Sequence, residues 1–296
     1  MKHCPGRELG WPLLRVSQDT AAVWDDPATE WTVEHYAKRD EDNRLQSGSG
    51  LLEFARTVEI LQRYLPPPPA RIADVGAGPG AYSIWLARLG HQVIARDLMP
   101  VHIEQLRSNA RDQGLLIDAD VGDARELSVA NASVDVVLLF GPLYHLITSA
   151  ARVQYLREAA RVVRPSGIVA AAAIYRWAVL LDGVLRLRIG EGDPAFPVLL
   201  DQAIGSGVMA PLLPGGFAGY CHRPHELRTE VEQAGLSLVS LESIEGAGAY
   251  LPDLEERRSV PTAKDAVLDV ARRCADVPEM LGVGPHLLLI TSRSAE

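Results

Sequence analysis

The sequence of 296 residues is poor in features that mark several protein classes. Its three cysteines, Cys4, Cys221 and Cys274, are far apart and odd in number, which favours free thiols in a reducing compartment over a disulfide framework. Dense runs of Lys or Arg are missing and the formal net charge is -9, so a surface that tracks nucleic-acid phosphates is not expected. The apolar runs, such as 168–174, are too short to span a bilayer, and the N-terminus lacks the apolar segment of a signal peptide. We therefore expect a cytoplasmic protein that binds neither nucleic acid nor membranes.

Strand and helix patterns alternate after residue 50, and 47% of the residues are hydrophobic, enough for a sizeable core. The predicted strands are 71–75, 91–97, 115–121, 134–140, 167–175, 236–244 and 286–292. This alternation, with short glycine-marked connections, predicts an α/β fold with a doubly wound, Rossmann-like, seven-stranded and mostly parallel sheet. The predicted division is an N-terminal lid (1–50), a core (51–175), a cap inserted after the fifth strand (176–221) and a C-terminal part of the core (222–296).

A glycine-rich loop, Asp74-Val-Gly-Ala-Gly-Pro-Gly80, follows the first predicted strand. Glycines let the backbone approach a ligand closely, and the amides at the start of the next helix favour a carboxylate or phosphate there. The segment 76–81 also satisfies the loose G-x-G-x-x-G/A pattern of dinucleotide-binding proteins. The loop alone therefore leaves open a nicotinamide-dependent oxidoreductase.

Two acidic residues at the ends of neighbouring strands narrow the choice of ligand. Asp97 ends the second predicted strand, where a carboxylate can accept hydrogen bonds from both hydroxyls of a ribose. Asp123 follows the third predicted strand, where a carboxylate can accept a hydrogen bond from the exocyclic amine of an adenine. Open α/β sheets bind ligands at the carboxyl ends of their strands, so the two acids and the glycine loop together predict a nucleoside pocket.

These motifs resemble those of a known enzyme family. Residues 73–80 resemble motif I of the class I S-adenosylmethionine-dependent methyltransferases, and Asp97 and Gly122-Asp-Ala124 resemble the next two motifs. The segment Phe140-Gly-Pro-Leu-Tyr-His-Leu146 is similar to the segment after the fourth strand in a bacterial subgroup of small-molecule methyltransferases, and similarity extends over 30–245. The resemblance is specific for fold and cofactor and says little about the methyl acceptor.

The resemblance implies S-adenosyl-L-methionine as the cofactor and assigns residues to it. The glycine loop should hold the methionine end, Asp97 the ribose and Asp123 the adenine. The full set of expected cofactor-binding residues is Tyr36, Arg44, Asp74, Gly76, Ala77, Gly78, Asp97, Leu98, Asp123, Ala124 and Phe140. No cluster with metal-ligand spacing is apparent, so no metal is expected.

Tyr144 and His145 are the main catalytic candidates, because they follow the fourth strand beside the expected position of the methyl group. Positioning alone can accelerate methyl transfer, so a base is needed only where the acceptor must lose a proton. His145, with an ordinary pKa of about 6.5, suits that role. The alternative is that both residues shape the pocket floor and pack against the cofactor.

The cap supplies the candidates for acceptor binding. Tyr144, Tyr175, Arg176, Tyr220 and His222 are expected to contact the acceptor, and His222 is a further catalytic candidate. Core packing of the cap, and a surface position for the arginine, are the alternatives. The predicted function is methyl transfer to an O, N or C nucleophile of a small metabolite by a monomer or homodimer. Low lysine content suggests a GC-rich bacterial genome and natural-product biosynthesis. A non-methylating enzyme of the same fold is the other alternative.

Overall fold

The computed structural model describes residues 28–37, 41, 43–185, 196–209 and 217–294. The strands are β1 Arg71–Val75, β2 Gln92–Asp97, β3 Asp118–Val121, β4 Val134–Leu139, β5 Val163–Tyr175, β6 Val208–Met209, β7 Gly219–His222, β8 Leu236–Ser243 and β9 His286–Arg293. The helices are α1 Ala28–Ala37, α2 Gly48–Gln62, α3 Ala81–Arg88, α4 Pro100–Asp112, α5 Pro142–His145, α6 Ser149–Val162, α7 Ala178–Leu185, α8 Phe196–Ser206, α9 Pro224–Gln233, α10 Leu254–Ser259 and α11 Pro261–Cys274. Short 3-10 turns occupy Arg44–Gln46, Gly246–Tyr250 and Leu281–Val283.

The sheet confirms the predicted doubly wound α/β fold. Strands β3, β2, β1, β4 and β5 lie side by side and are parallel. Strand β9 continues the sheet antiparallel to β5, from Ile168 opposite Ser292 to Ile174 opposite His286, and β8 pairs antiparallel with β9. The sheet is therefore mostly parallel, with an antiparallel hairpin at one edge.

The predicted strand count needs correction, because two short strands join the seven expected ones. Strand β7 pairs in parallel with Ile174 and Tyr175 at the end of β5, and β6 pairs antiparallel with β7. Strand β6 is two residues long and β7 is four residues long. Such short segments show too little alternation of apolar and polar residues to be predicted from sequence. Through these pairings, the described part of the expected cap lies against the end of β5.

The core lies on both faces of the sheet, and β4 is its centre. Val136, Val137, Leu138 and Leu139 are all at most 1% exposed, as a strand covered on both faces requires. One face packs against α6 and α9, and the other packs against α2 and α3. None of the helices in the described ranges is long and apolar enough to cross a membrane.

One edge of the sheet brings distant parts of the chain together. The parallel strands β1 to β5 all end at this edge, and β9 begins there because it runs the opposite way. Chain segments following β1, β2 and β4 therefore meet the first residue of β9. Helix α2 adds its own N-terminal half to the same region, since it packs over the face formed by β1, β4, β5 and β9.

Candidate active site

A cavity of about 530 Å³ runs along the carboxyl edge of the sheet. Its volume lies within the range of pockets that enclose small ligands. At one end its wall contains Asp97 and Asp123, which follow β2 and β3. At the other end it contains Ala172 of β5 and His286 of β9. The order of the strands thus gives one continuous cavity two ends, which we call the nucleoside end, where the nucleoside is expected, and the opposite end.

The glycine loop forms the middle of the cavity wall. Gly76 has φ +75°, and a Cβ atom there would lie 2.3 Å from Cδ of Pro142, so the close contact between the loops after β1 and β4 requires glycine. Gly78 has φ +54°, and a Cβ atom there would meet no atom within 4 Å. The space beside Gly78 is therefore open toward the cavity, as a loop that approaches a ligand with its backbone requires.

Asp97 is held rigidly at the nucleoside end. Its Oδ2 accepts a hydrogen bond from the amide of Gly78 at 2.8 Å, and its Oδ1 accepts one from the amide of Met99 at 2.8 Å. Nδ1 of His102 lies 3.1 Å from the same Oδ1. The side chain is buried but lines the cavity. Oδ2 has a second lone pair that none of these contacts uses, so the carboxylate can still accept a hydrogen bond from a ribose hydroxyl.

Asp74 lies behind the loop, outside the cavity wall. Its Oδ2 accepts a hydrogen bond from the hydroxyl of Ser83 at 2.6 Å, whereas its Oδ1 has no hydrogen-bond partner in the described part of the chain. Burial raises the pKa of Asp74 to about 6. The expected direct contact of Asp74 with the methionine end is therefore not supported by this geometry, and a role through the loop backbone fits its position better.

The adenine side of the cavity is lined by the residues expected there. Leu98, Asp123 and Ala124 all contribute to the wall. Arg125 pairs with the Asp123 carboxylate, and its nearest nitrogen is 2.5 Å from Oδ2. Partial burial disfavours the charged carboxylate, but the hydrogen bonds and charge of Arg125 outweigh this and hold the pKa of Asp123 below its usual value. The carboxylate is therefore charged and oriented, as an acceptor for an amine must be.

Helix α1 covers the middle of the cavity with an aromatic contact. The Tyr36 hydroxyl and His145 Nε2 are 2.8 Å apart, and their rings meet edge to face at 5.3 Å. Burial raises the pKa of Tyr36 well above its usual value, so its hydroxyl stays protonated. Tyr36, Phe140 and both main catalytic candidates, Tyr144 and His145, line the cavity, and the catalytic roles of the two candidates stay predictions.

The opposite end of the cavity is polar, which sequence reasoning missed. Arg44, an expected cofactor residue, donates two hydrogen bonds to the Glu53 carboxylate at 2.7 and 3.2 Å. Nδ1 of His286 lies 2.5 Å from Oε1 of Glu245. Desolvation alone would lower the pKa of His286, but the charges of Glu245 and Glu53 raise it to about 9. The antiparallel direction of the last strand is the signal that could have placed His286 here.

Four predicted acceptor-binding residues lie away from the cavity that the described residues enclose. Arg176 is 1% exposed, donates to the carbonyl of Cys221 at 2.6 Å, and pairs with Glu226 at 2.7 Å. His222 is fully buried with its Nε2 3.2 Å from Oε2 of Glu230. The prediction that either contacts the acceptor is wrong for this structure, because β7 pairs with the end of β5 and their side chains are buried between the cap and α9.

Tyr220 and Tyr175 need the same correction. The Tyr220 hydroxyl lies 3.1 Å from Nη2 of Arg176, and its ring packs under the guanidinium of Arg152 at 3.5 Å. Tyr175 packs against the 3-10 turn at Gly282, where a Cβ atom would lie 2.2 Å from its ring. Both tyrosines therefore stabilise the junction of the cap with the core.

Comparison with known proteins agrees with this geometry. A family model described as a methyltransferase domain matches residues 72–167. A ubiquinone biosynthesis O-methyltransferase from Xanthomonas axonopodis pv. citri is 30% identical over 184 residues, which cover 61% of this chain and 68% of that protein. The chain belongs to the S-adenosylmethionine-dependent methyltransferase family. Further family members of the same name, including one from Methylocella silvestris, are matched over only 41 to 44% of their own length.

Solved structures show the shared fold of the methyltransferase family. An S-adenosylmethionine-dependent methyltransferase from Methanosarcina mazei matches 80% of this chain and 98% of its own, with 19% identity and a TM-score of 0.55. A [4+2]-cyclase, SpnF, matches 92% of this chain and 94% of its own, with 16% identity and a TM-score of 0.55. Identities this low show the fold alone, so neither structure decides the reaction.

Family membership confirms the predicted enzyme class and S-adenosylmethionine as its cofactor. The residues present fit that cofactor. The open space beside Gly78 and the oriented carboxylates of Asp97 and Asp123 suit a cationic nucleoside with an amino-acid tail. The individual cofactor contacts stay predictions. Of the expected residues, all except Asp74 lie at the cavity wall.

Proposed function

We propose that this methyltransferase methylates a small-molecule acceptor that enters the end of the cavity opposite Asp123. The observation that supports this is the continuity of the cavity. One continuous space of about 530 Å³ extends from Asp97, below the expected ribose, to His286 at the start of β9. If Asp97 and Asp123 hold the nucleoside over β2 and β3, the reacting group faces β4 and β5. The remaining space, between Glu53 and His286, is then the acceptor subsite.

The residues of this chain would act mainly by positioning. When bound, S-adenosylmethionine supplies an electrophilic methyl group on a sulfonium. Asp97 is fixed by two backbone amides and would orient the ribose, and Gly76 and Gly78 leave room for the methionine end. Holding two reactants in line can contribute about 7–11 kcal/mol to catalysis in favourable cases. Burial of the wall residues also excludes water from the reacting atoms.

Tyr144 and His145 are proposed to shape the wall between the two ends. His145 is 7% exposed and bonded through Nε2 to the Tyr36 hydroxyl, so α1 and α5 are joined across the cavity. This contact would close the cavity over the bound ligands. For His145 to accept a proton through Nε2, the Tyr36 hydroxyl must either move away from Nε2 or relay the proton to it.

The class of acceptor is proposed from the family members and from the cavity. Curated proteins similar to this chain are named O-methyltransferases, which favours an oxygen nucleophile over nitrogen or carbon. Their names do not support the expected natural-product pathway. A cavity of about 530 Å³ suits a small metabolite better than a nucleic acid or a protein chain. Monomer and homodimer both remain compatible with this proposal.

The test is incubation of the purified protein with methyl-labelled S-adenosylmethionine and a set of small phenols, alcohols and amines. We expect formation of S-adenosylhomocysteine in equal amount to a labelled product. Product formation without S-adenosylhomocysteine would instead favour the non-methylating alternative. Calorimetric binding of NADPH, with no binding of S-adenosylmethionine, would support the oxidoreductase alternative and refute the proposal.

A further inference from the structure

Four charged side chains form a cluster at the acceptor end of the cavity. Arg44 comes from the 3-10 turn before α2, Glu53 from α2, Glu245 from the loop after β8, and His286 from the start of β9. We call them the acceptor-end cluster. Arg44, Glu53 and His286 line the cavity, and Glu245 lies directly behind His286. No sequence motif predicts this cluster, because its members are scattered over the chain.

The cluster is incomplete as a set of hydrogen bonds. One oxygen of Glu53, one oxygen of Glu245 and one ring nitrogen of His286 lie within 4.8 Å of one another. Glu245 is 1% exposed, and its Oε2 has no hydrogen-bond partner in the part of the chain that the structure describes. A buried carboxylate oxygen without a donor is costly, so such an atom indicates a ligand or a nearby donor that is still to bind.

The charges of the cluster determine which ligand suits it. Arg44 is the permanent cation of the cluster, and it already pairs with two carboxylates, Glu53 at 2.7 Å and Glu41 at 3.1 Å. The side chains around His286 are therefore predominantly negative. A negatively charged group would be repelled there, whereas a group that donates a proton or a hydrogen bond would be attracted. A hydroxyl group is such a donor.

We propose that the acceptor-end cluster binds a hydroxyl group of the methyl acceptor and that Nε2 of His286 accepts its proton. The proposal rests on the proposed function, since it assigns the base for that methyl transfer. In the step, the O–H bond breaks and the proton passes to Nε2. The oxygen uses the freed electron pair to form a bond to the methyl carbon, the bond from that carbon to the sulfonium sulfur breaks, and S-adenosylhomocysteine is left. Only the acceptor and S-adenosylmethionine are consumed, so no oxidant or further reactant is needed.

Glu245 acts as a positioning residue in this arrangement. Its Oε1 accepts the hydrogen bond from Nδ1 of His286, which leaves Nε2 as the ring nitrogen available to the acceptor. Glu53 is held in turn by the two hydrogen bonds from Arg44. The arrangement of carboxylate, imidazole and hydroxyl follows the general geometry of a base oriented by a third group.

The raised pKa of His286 suits a base that takes the proton of a weakly acidic hydroxyl group. Glu245 and Glu53 raise the pKa of His286 to about 9, against desolvation and against the charge of Arg44. An imidazole with this pKa is mostly protonated at pH 7 and becomes a proton acceptor as the pH rises toward 9. Phenols such as tyrosine titrate near pH 10, so the base and its substrate are well matched.

A divalent cation is a less suitable occupant. Glu53 and Glu245 could supply oxygen ligands and His286 a nitrogen ligand. However, the Arg44 guanidinium already holds both oxygens of Glu53, and Nδ1 of His286 is engaged with Glu245. A metal ion would have to displace both contacts and sit beside a fixed positive charge, which costs Coulomb energy.

The proposal is tested by calorimetric titration of the S-adenosylhomocysteine complex with two probes of similar shape. Catechol carries two hydroxyls, and veratrole is its dimethyl ether. We expect catechol to bind at least about tenfold more tightly than veratrole, and His286→Gln to remove most of that difference. His225→Gln, on the exposed side of α9, is the matched control and should behave like the unsubstituted protein.

A second measurement follows the histidine itself by NMR. In the unsubstituted protein one imidazole should titrate with a pKa of about 9, and Glu245→Gln should bring that pKa down toward the ordinary value. Catechol should shift this resonance and veratrole should not. This comparison needs no variant of His286, so it decides the question even where His286→Gln fails to fold.

Several outcomes would overturn the proposal. They are equal binding of catechol and veratrole, no binding of catechol, or unchanged preference for catechol in folded His286→Gln. Catechol binding that depends on added Mg²⁺ would assign the cluster to a metal ion instead. Failure of S-adenosylhomocysteine to bind at all would refute the proposed function, and is therefore a distinct result.

Discussion

Replacement of Asp97 is the sharpest test of the nucleoside end of the cavity. Its carboxylate is 8% exposed and accepts hydrogen bonds from the amides of Gly78 and Met99, both at 2.8 Å. Hydrogen bonds to a charged group contribute about 1.5–3 kcal/mol each. Loss of two such bonds from a ribose, partly replaced by water, should cost about 3 kcal/mol of binding. We therefore expect Asp97→Ala to weaken S-adenosylhomocysteine binding by about a hundredfold or more.

The assay must separate binding from folding, because the same carboxylate also stabilises the loop. Calorimetric titration gives the Kd, and thermal unfolding of the free protein gives the stability. Asp97→Asn keeps the size of the side chain, but its amide nitrogen cannot accept a backbone N–H, so it should also bind weakly. Asp120→Asn, whose side chain is 66% exposed, is the matched control. A folded Asp97→Ala protein with an unchanged Kd would refute the assignment of the ribose to this residue.

Three further predictions concern helix α1, the buried ion pair between α6 and α9, and the glycine loop. Tyr36→Phe removes the hydroxyl that lies 2.8 Å from His145 Nε2 and should lower kcat about three- to tenfold. An unchanged kcat would show that this hydrogen bond does not order the site. Glu230→Gln leaves the buried Arg152 guanidinium without its charged partner at 2.7 Å and should lower the free energy of unfolding by about 3–5 kcal/mol in denaturant titrations. In the unsubstituted protein, burial alone would raise the pKa of Glu230, but its partners His222 and Arg152 lower it to about 2, so this stabilisation is present above pH ~4.5 and is lost as the pH falls toward 2. A stability that stays flat over that range would contradict the ion pair. Gly76→Ala places a Cβ atom 2.3 Å from Cδ of Pro142 and should lower the Tm far more than Gly114→Ala. Gly114 is the matched control because it has a similar φ of +66° and open space around it. Equal Tm values for the two variants would contradict the close contact.

The alternation of strands and helices could be predicted because parallel strands covered on both faces leave continuous apolar runs. Val134–Leu139 is such a strand, and the glycine loop and Asp97 follow their strands at the expected edge. These features depend on local sequence. The nucleoside end of the cavity was predictable for the same reason, since each of its residues directly follows a strand.

The acceptor end was not predictable from local patterns. Glu53 lies on a helix before the first strand, and His286 begins the last one. Only the antiparallel pairing of β9 with β5 brings them together. Arg176 was misassigned for a related reason. It follows β5 at the ligand edge, but the unpredicted strand β7 pairs there, and the guanidinium turns inward to the carbonyl of Cys221.

A crystal structure of the complex with S-adenosylhomocysteine is the most direct test of the central claim. We predict that the ribose hydroxyls contact Asp97 and the adenine lies beside Asp123. The sulfur should then face the space between Glu53 and His286. A sulfur atom directed away from that space, or a nucleoside bound elsewhere than on Asp97, would contradict the account.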